Sequence, residues 1–180
     1  RTGPFFSFEG TGIEPDIVCL SKSLSGYGLP MAITLIRPDL DIWEPGEHNG
    51  TFRGHNPAFI TAAETLRRYW KDDALTREVE RKAKIVHRFL ESLAARFPEL
   101  QGEVRGKGMM QGIAYENGDI AKSICASAFN GGVLVETAGP NGEVVKLMPP
   151  LTIDEATLSR GLSILERSVR AKKVKKVVPA

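Results

Sequence analysis

The chain has 180 residues, with 24 Lys and Arg against 22 Asp and Glu, for a formal net charge of +2. At roughly 100–200 residues per domain this allows one full domain or two small ones, and a balance so near neutrality gives no bulk electrostatic ground for a nucleic-acid partner. No apolar run reaches the ~18 residues of a membrane span, and the hydrophobic share of 42% with 26% charged residues is that of an ordinary globular chain. The two cysteines, Cys19 and Cys125, lie far apart in apolar surroundings. They are expected to be buried free thiols in a reducing, cytoplasmic compartment.

The chain opens Arg1-Thr2-Gly3-Pro4-Phe5-Phe6, without a methionine or a signal-peptide core. True termini are usually polar and loosely held, so the expectation is the C-terminal part of a longer protein. Residues 1–15 read as loop. Asp16 to Leu20 and Met31 to Ile36 are short apolar runs bounded by breakers, which predicts two buried strands. The linker between them holds Gly26, Gly28 and Pro30, so it is not expected to be helical. It is also too short for a parallel crossover, and the two strands are predicted to be antiparallel. Residues 37–56 read as a long loop of the kind that is usually functional. Asn56-Pro57 predicts a helix start with Asn as N-cap, running to about Trp70. Asp72 and Asp73 start a longer helix with Leu75, Val79, Val86, Leu90, Leu93 and Phe97 on one face, ended by Pro98.

Beyond Pro98 the pattern changes. Val104 to Tyr115 reads as a strand region broken by glycines, and Asp119 to Asn130 as a helix closed by Gly131-Gly132. Strands at 133–136 and 143–147 flank a Gly139-Pro140-Asn141-Gly142 turn. Thr152 and Glu155 form a capping box for a last helix with Leu158, Leu162, Leu165 and Val169 on one face. This predicts helices covering one face of a small sheet. A boundary near Pro98 divides the chain into 1–98 and 99–180.

Lys22 follows the first strand directly, in Ser21-Lys22-Ser23-Leu24-Ser25-Gly26-Tyr27-Gly28-Leu29-Pro30. Ligand sites of α/β sheets lie at the carboxyl ends of strands. An amine partly desolvated there can act as a Schiff-base nucleophile toward a carbonyl. The competing reading is a lysine that snorkels from a sheet edge into water.

The segment Asp16-Ile17-Val18-x-Leu20-Ser21-Lys22, followed by glycines and Pro30, resembles the cofactor-lysine segment of class III aminotransferases. Gly50-Thr51-Phe52-Arg53-Gly54-His55-Asn56-Pro57 is similar to another stretch of that family, and Arg1-Thr2-Gly3, Arg105-Gly106-x-Gly108 and Pro149-Pro150-Leu151 match further landmarks. Leu20 to Met31 and Trp43 to Gly54 resemble in particular the ectoine-pathway diaminobutyrate aminotransferases, which move an amino group from glutamate to aspartate 4-semialdehyde to give 2,4-diaminobutyrate and 2-oxoglutarate. The resemblance implies an α/β fold: the C-terminal part of the aspartate-aminotransferase-like (fold type I) large domain in residues 1–98, and a small C-terminal α/β domain in 99–180. It also implies pyridoxal 5'-phosphate as cofactor, amino acid and oxo acid substrates, and a homodimer or higher assembly. Lys22 would bind the cofactor and shuttle a proton, and Thr51 would hold the cofactor phosphate of the neighbouring subunit. Arg53 would serve either an anion or an interface salt bridge. Lys146 stands where related ornithine-type enzymes carry an arginine that pairs with a substrate carboxylate, and it gives a point charge in place of a bidentate fork. The rest of the cofactor site would lie upstream of Arg1.

Other readings divide by class. An enzyme of siderophore-diaminobutyrate, ornithine or 4-aminobutyrate type keeps the chemistry and changes the substrate, whereas a non-catalytic fragment would dock on an intact subunit. Gly106-Lys107-Gly108-Met109-Met110-Gln111-Gly112 misses dinucleotide-loop spacing by one residue. His48 and His55 lack metal-ligand spacing and read as hydrogen-bonding residues, and His87 reads as a solvated helix-face residue. Met109, Met110 and Met148 are expected in core or pocket lining. The basic run Lys172 to Lys176 is expected to be a solvated, frayed end.

Overall fold

The computed structural model describes residues 1–176, and within the last helix the side chains only as far as Lys172. The backbone of the basic run Lys172 to Lys176, expected to be a frayed end, continues the last helix, and its side chains beyond Lys172 lie outside the described residues. The chain forms two compact units, one of Phe8–Leu75 and one of Arg1–Ser7 together with the residues from Thr76 onward. These limits differ from the sequence boundary near Pro98, because the long helix that ends just before Pro98 groups with the elements that follow it.

In the Phe8–Leu75 unit, strand β1 (Ile17–Ser21) pairs antiparallel with β2 (Ala32–Ile36), with Ile17 opposite Ile36 and Ser21 opposite Ala32. The short linker forces this geometry, as predicted. It does contain one 3-10 turn, Lys22–Ser25, where no helix was expected. The strands are not buried: Ile17, Leu35 and Ile36 are all exposed, and so is Cys19. A two-stranded ribbon has no second layer of its own to cover its apolar side chains. Helix α1 (Asn56–Tyr69) begins with His55 as its N-cap, and the His55 carbonyl accepts from Phe59 N–H at 3.1 Å. Asn56, the expected cap, is already the first helical residue, and no side chain caps this end. Among the residues of this unit only Ser25, Ala58 and Ala62 are fully buried.

The second unit has the expected plan. Helix α2 (Ala74–Arg96) starts where the Asp72 carboxylate accepts from Ala74 N–H, and it buries Val79, Val86, Leu90 and Leu93, followed by Phe97. Strands β3 (Glu103–Lys107) and β4 (Met110–Ala114) make a hairpin. Helix α3 (Gly118–Asn130) follows, with Asn117 capping Ile120 N–H. Strands β5 (Glu136–Ala138) and β6 (Val144–Leu147) complete an antiparallel sheet of order β3-β4-β6-β5, and helix α4 (Glu155–Lys176) packs along α3. Strand β5 starts at Glu136 and not at Val133, because the tight turn at 139–142 sets the register and leaves 133–135 unpaired. The cap of α4 is also displaced: Asp154 Oδ1 accepts from Thr157 N–H at 2.8 Å, two residues beyond the expected Thr152.

The core lies between the sheet and the helices. Ile113, Val145 and Leu147 alternate inward with Gln111, and Ile120, Ile124, Leu158, Leu162, Leu165 and Val169 close over them. At roughly 25 cal/mol per Å² of apolar surface, each such aliphatic side chain contributes about 1.5–3 kcal/mol. Met109 is buried as expected, whereas Met110 and Met148 are exposed. Cys125 is half-buried, and that burial pushes its thiol pKa up.

Candidate active site

Lys22 occupies the first position after β1 and has φ +58°, one of two left-handed non-glycine backbones among the described residues. A side chain with a Cβ pays about 1–3 kcal/mol for such a conformation, and strain of this kind clusters at functional sites. The loop explains how it is held. Ser25 is fully buried, its hydroxyl donates to the Lys22 carbonyl at 3.4 Å, and Gly28 N–H donates back to it at 3.2 Å. Gly26, at φ +74°, lies so close to α1 that a Cβ there would meet Thr65 Cβ at 2.8 Å. The Lys22 ammonium itself is exposed and has no hydrogen-bond or ion-pair partner among the described residues. It is a cation at the end of a strand, fixed at its backbone and uncommitted at its nitrogen.

The long loop holds a second uncommitted donor set. Arg53 N–H donates to the Gly50 carbonyl at 3.1 Å, closing a turn with Thr51 and Phe52 at its centre. The central residues of such a turn keep their N–H groups free of the turn bond, and Thr51 adds a hydroxyl in an exposed position. A Cβ at Gly50 would meet Arg53 Cδ at 2.8 Å, so a side chain there would displace the arginine. The Arg53 guanidinium is exposed with no anionic partner among the described residues. Lys22, Thr51 and Arg53 thus share one unit, with no direct bond joining them.

Lys146 lies in the other unit and is not free. It stands opposite Glu136 in the β5–β6 register, and its Nζ is 3.2 Å from that carboxylate. Arg105, in the same cross-strand row through Gly112, is bound by Glu103 at 2.7 Å, and each partner holds the other's charged form. A cleft of about 410 Å³ opens beside Lys146, lined by Leu134, Met148, Ile153 and Leu162 among others, so Met148 does line a pocket.

Two residues with clear roles escape sequence reasoning. The Arg1 guanidinium donates to the Pro149 carbonyl at 2.7 Å and to the Met109 carbonyl at 3.1 Å, and its burial lowers its pKa. Lys82, almost wholly buried in α2, donates to the Leu151 carbonyl at 3.0 Å. Two cations from distant parts of the sequence therefore fix Pro149-Pro150-Leu151. No local signal announces this, since the acceptors are backbone atoms. Gly108 has φ +60° and lies against the Arg1–Thr2 backbone, where a Cβ would come within 2.5 Å of Thr2 Cα. His87 is exposed as expected, yet its Nδ1 is 3.2 Å from Gln111 Oε1. Gln111 Nε2 donates to Ala83 and Gly108 carbonyls, which orients the amide oxygen toward the imidazole.

The sequence profile of class III aminotransferases matches residues 1–169 of this chain. The chain belongs to the class III aminotransferases. Diaminobutyrate–2-oxoglutarate transaminases are similar to it at 56% identity over 171 residues in Halalkalibacterium halodurans and 58% over 170 residues in Sporosarcina pasteurii. Those alignments cover 95% and 93% of this chain and 40% of each relative. The chain thus spans less than half the length of the curated relatives it matches. Among solved structures, the ornithine aminotransferase of Toxoplasma gondii, crystallised with oxidized glutathione and partly occupied by pyridoxal phosphate (PLP) at its active site, superimposes with a TM-score of 0.80 at 27% identity. That match covers 97% of this chain and 41% of the other. The fold is that of a fragment of a fold type I, PLP-dependent aminotransferase.

Class III aminotransferases use pyridoxal 5'-phosphate, and the donor set of this chain fits that group. An electrophilic carbonyl needs an amine with no competing partner, which Lys22 supplies. A phosphate needs hydroxyl and N–H donors on an open turn, which Thr51 supplies.

Proposed function

We propose that the full-length protein is a PLP-dependent diaminobutyrate–2-oxoglutarate transaminase that transfers the amino group of L-glutamate to L-aspartate 4-semialdehyde in ectoine biosynthesis. The observation that carries the reading is Lys22, held by its backbone at the end of β1 with an amine that has no partner among the described residues. The named relatives at 56% and 58% identity support the substrate pair. The ornithine-type alternative rests on 27% identity and meets a lysine at 146 already paired with Glu136.

Bound pyridoxal phosphate supplies an electrophilic carbonyl and an electron sink for the bond broken at the substrate Cα. Lys22 would hold the cofactor through its Nζ, and its amine would take and return the proton at the substrate Cα, a general acid–base role worth about 10²–10⁴ in rate. Thr51 would bind the cofactor phosphate of a neighbouring subunit in a homodimer, and Arg53 beside it would serve that anion or an interface salt bridge. Lys146 meets a substrate carboxylate only when Glu136 gives way. Residues 1–98 belong to the large domain and 99–180 to the small one, in a cytoplasmic enzyme; no helix among the described residues is long and apolar enough to cross a membrane.

Borohydride reduction of the PLP-loaded full-length protein, followed by peptide mapping, is expected to place pyridoxyl on Lys22. Label found solely on other lysines overturns the reading. Rates on 2,4-diaminobutyrate, ornithine and 4-aminobutyrate then decide the substrate, with diaminobutyrate expected to be fastest. A second reading, in which the 180-residue span docks on an intact subunit without turning over, is favoured by the small core of its Phe8–Leu75 unit. It predicts a heteromer and no bound cofactor when this span is alone.

A further inference from the structure

The turn that carries Lys22 is closed at both ends by one side chain. Ser25 has no solvent exposure, donates to the Lys22 carbonyl at 3.4 Å and accepts from Gly28 N–H at 3.2 Å. Between these bonds Gly26 N–H donates to the Ser23 carbonyl at 3.0 Å, and Gly26 rests on Thr61 and Thr65 of α1, where no side chain fits. The left-handed backbone of Lys22 is therefore tied to a rigid helix through a single hydroxyl and a glycine contact. Hydroxyls in a glycine-rich loop are usually solvated or cap a nearby backbone group. This one is wholly buried and commits both of its bonds to the backbone of the loop that carries Lys22.

We propose that Ser25 is a positioning residue: its hydroxyl fixes the backbone from which Lys22 presents its amine, without touching substrate or cofactor. The inference rests on the reading of Lys22 as the cofactor lysine. Geometry of this kind bears on rate more than on binding, since a reacting group misplaced by about 1 Å costs up to about 10²-fold. A displaced amine would also meet the cofactor differently, which the cofactor absorbance and its pH titration read out.

The test compares Ser25→Ala with the unsubstituted full-length holoenzyme in three measurements: peptide mapping after borohydride, the pH titration of cofactor absorbance, and kcat against KM. The expected result is pyridoxyl still on Lys22, a titration midpoint moved by half a pH unit or more, and kcat lowered about tenfold with KM changed less than threefold. Faster amide exchange at Gly28, with exchange in α1 unchanged, supports the same assignment. An unchanged midpoint and kcat, with Lys22 labelled, overturns the positioning role and leaves the cofactor lysine standing. Absence of label from Lys22 in the unsubstituted enzyme overturns the functional reading and this inference with it. Should Ser25→Ala fail to fold, Ser25→Gly removes the hydroxyl without adding bulk, and the same measurements on it decide: wild-type midpoint and kcat overturn the proposal, and a shift in both supports it.

Discussion

Tyr115 carries the one buried side-chain polar atom without a hydrogen bond among the described residues. Its phenol lies at the end of β4, and burial, with the nearby Cys125 adding to it, pushes its pKa well above the ordinary value of 10.0. The neutral phenol is thus favoured in the folded chain, while the unfolded chain ionises near 10. Below that pH the residue has no pH-dependent effect. As pH rises above it the unfolded state sheds a proton that the folded state keeps, and stability falls. An orphaned hydroxyl also costs its own desolvation. Tyr115→Phe is therefore expected to stabilise the chain by up to about 1 kcal/mol at neutral pH and to flatten the loss above pH 10. Urea unfolding at pH 7 and pH 10.5 checks both. At this same scale Lys22 was legible in the sequence as a cation placed directly after a strand. Its left-handed backbone and the clamp at Ser25 were not, because they depend on the packing of Gly26 against a helix forty residues further on.

The helices show where element-scale reasoning succeeds and where it fails. Periodicity placed the buried stripe of α4 correctly, since Leu158, Leu162, Leu165 and Val169 recur at three- and four-residue spacing whatever caps the helix. The cap itself depends on which residue turns first out of the helical backbone. Two oxygen-bearing side chains compete, and Asp154 wins over Thr152. Asp154→Ala is expected to cost about 1 kcal/mol, while Thr152→Ala changes stability by less than about 0.5 kcal/mol, as is usual for a substitution away from a cap or core. Thermal unfolding of the two variants distinguishes the caps, and equal losses count against Asp154. The Asp154 carboxyl has its pKa lowered, chiefly by the Thr157 hydrogen bonds. Its contribution is present above the ordinary carboxylate pKa and disappears as pH falls through the folded value. Antiparallel pairing of β1 and β2 was readable from linker length alone, but their burial was not. Apolar composition states what a strand needs, and the two strands of this unit do not supply a cover for each other's faces.

At the scale of the whole molecule the two units are unequal. The unit of β3 to β6 with α2 to α4 owns nearly all the large buried side chains, whereas Phe8–Leu75 has three fully buried residues and leaves Tyr27, Ile42, Trp43, Phe52 and Ile60 largely exposed. Burial on that scale offsets little chain entropy. Amides of β1, β2 and α1 are accordingly expected to exchange faster than those of β4, β6 and α3 by at least about 10²-fold, following the usual spread between weakly and strongly packed segments. Hydrogen exchange read by mass spectrometry tests this on the 180-residue chain, and uniform protection across both units counts against it.

The bonds from Arg1 to Met109 and Pro149 have a consequence for kinetics. They join Arg1 to backbone carbonyls 108 and 148 residues away, across a stretch that includes the whole Phe8–Leu75 unit, so the chain must close a long loop before either bond can form. Contacts that wait on so long a closure come late, after the hairpins and helices of 76–176 have assembled from nearer partners. Arg1→Ala is thus expected to leave the refolding rate within about twofold and to hasten unfolding several-fold, the pattern of a contact absent from the transition state. Arg1 would then act as a latch fastened last, setting how long the folded unit survives and not how quickly it forms.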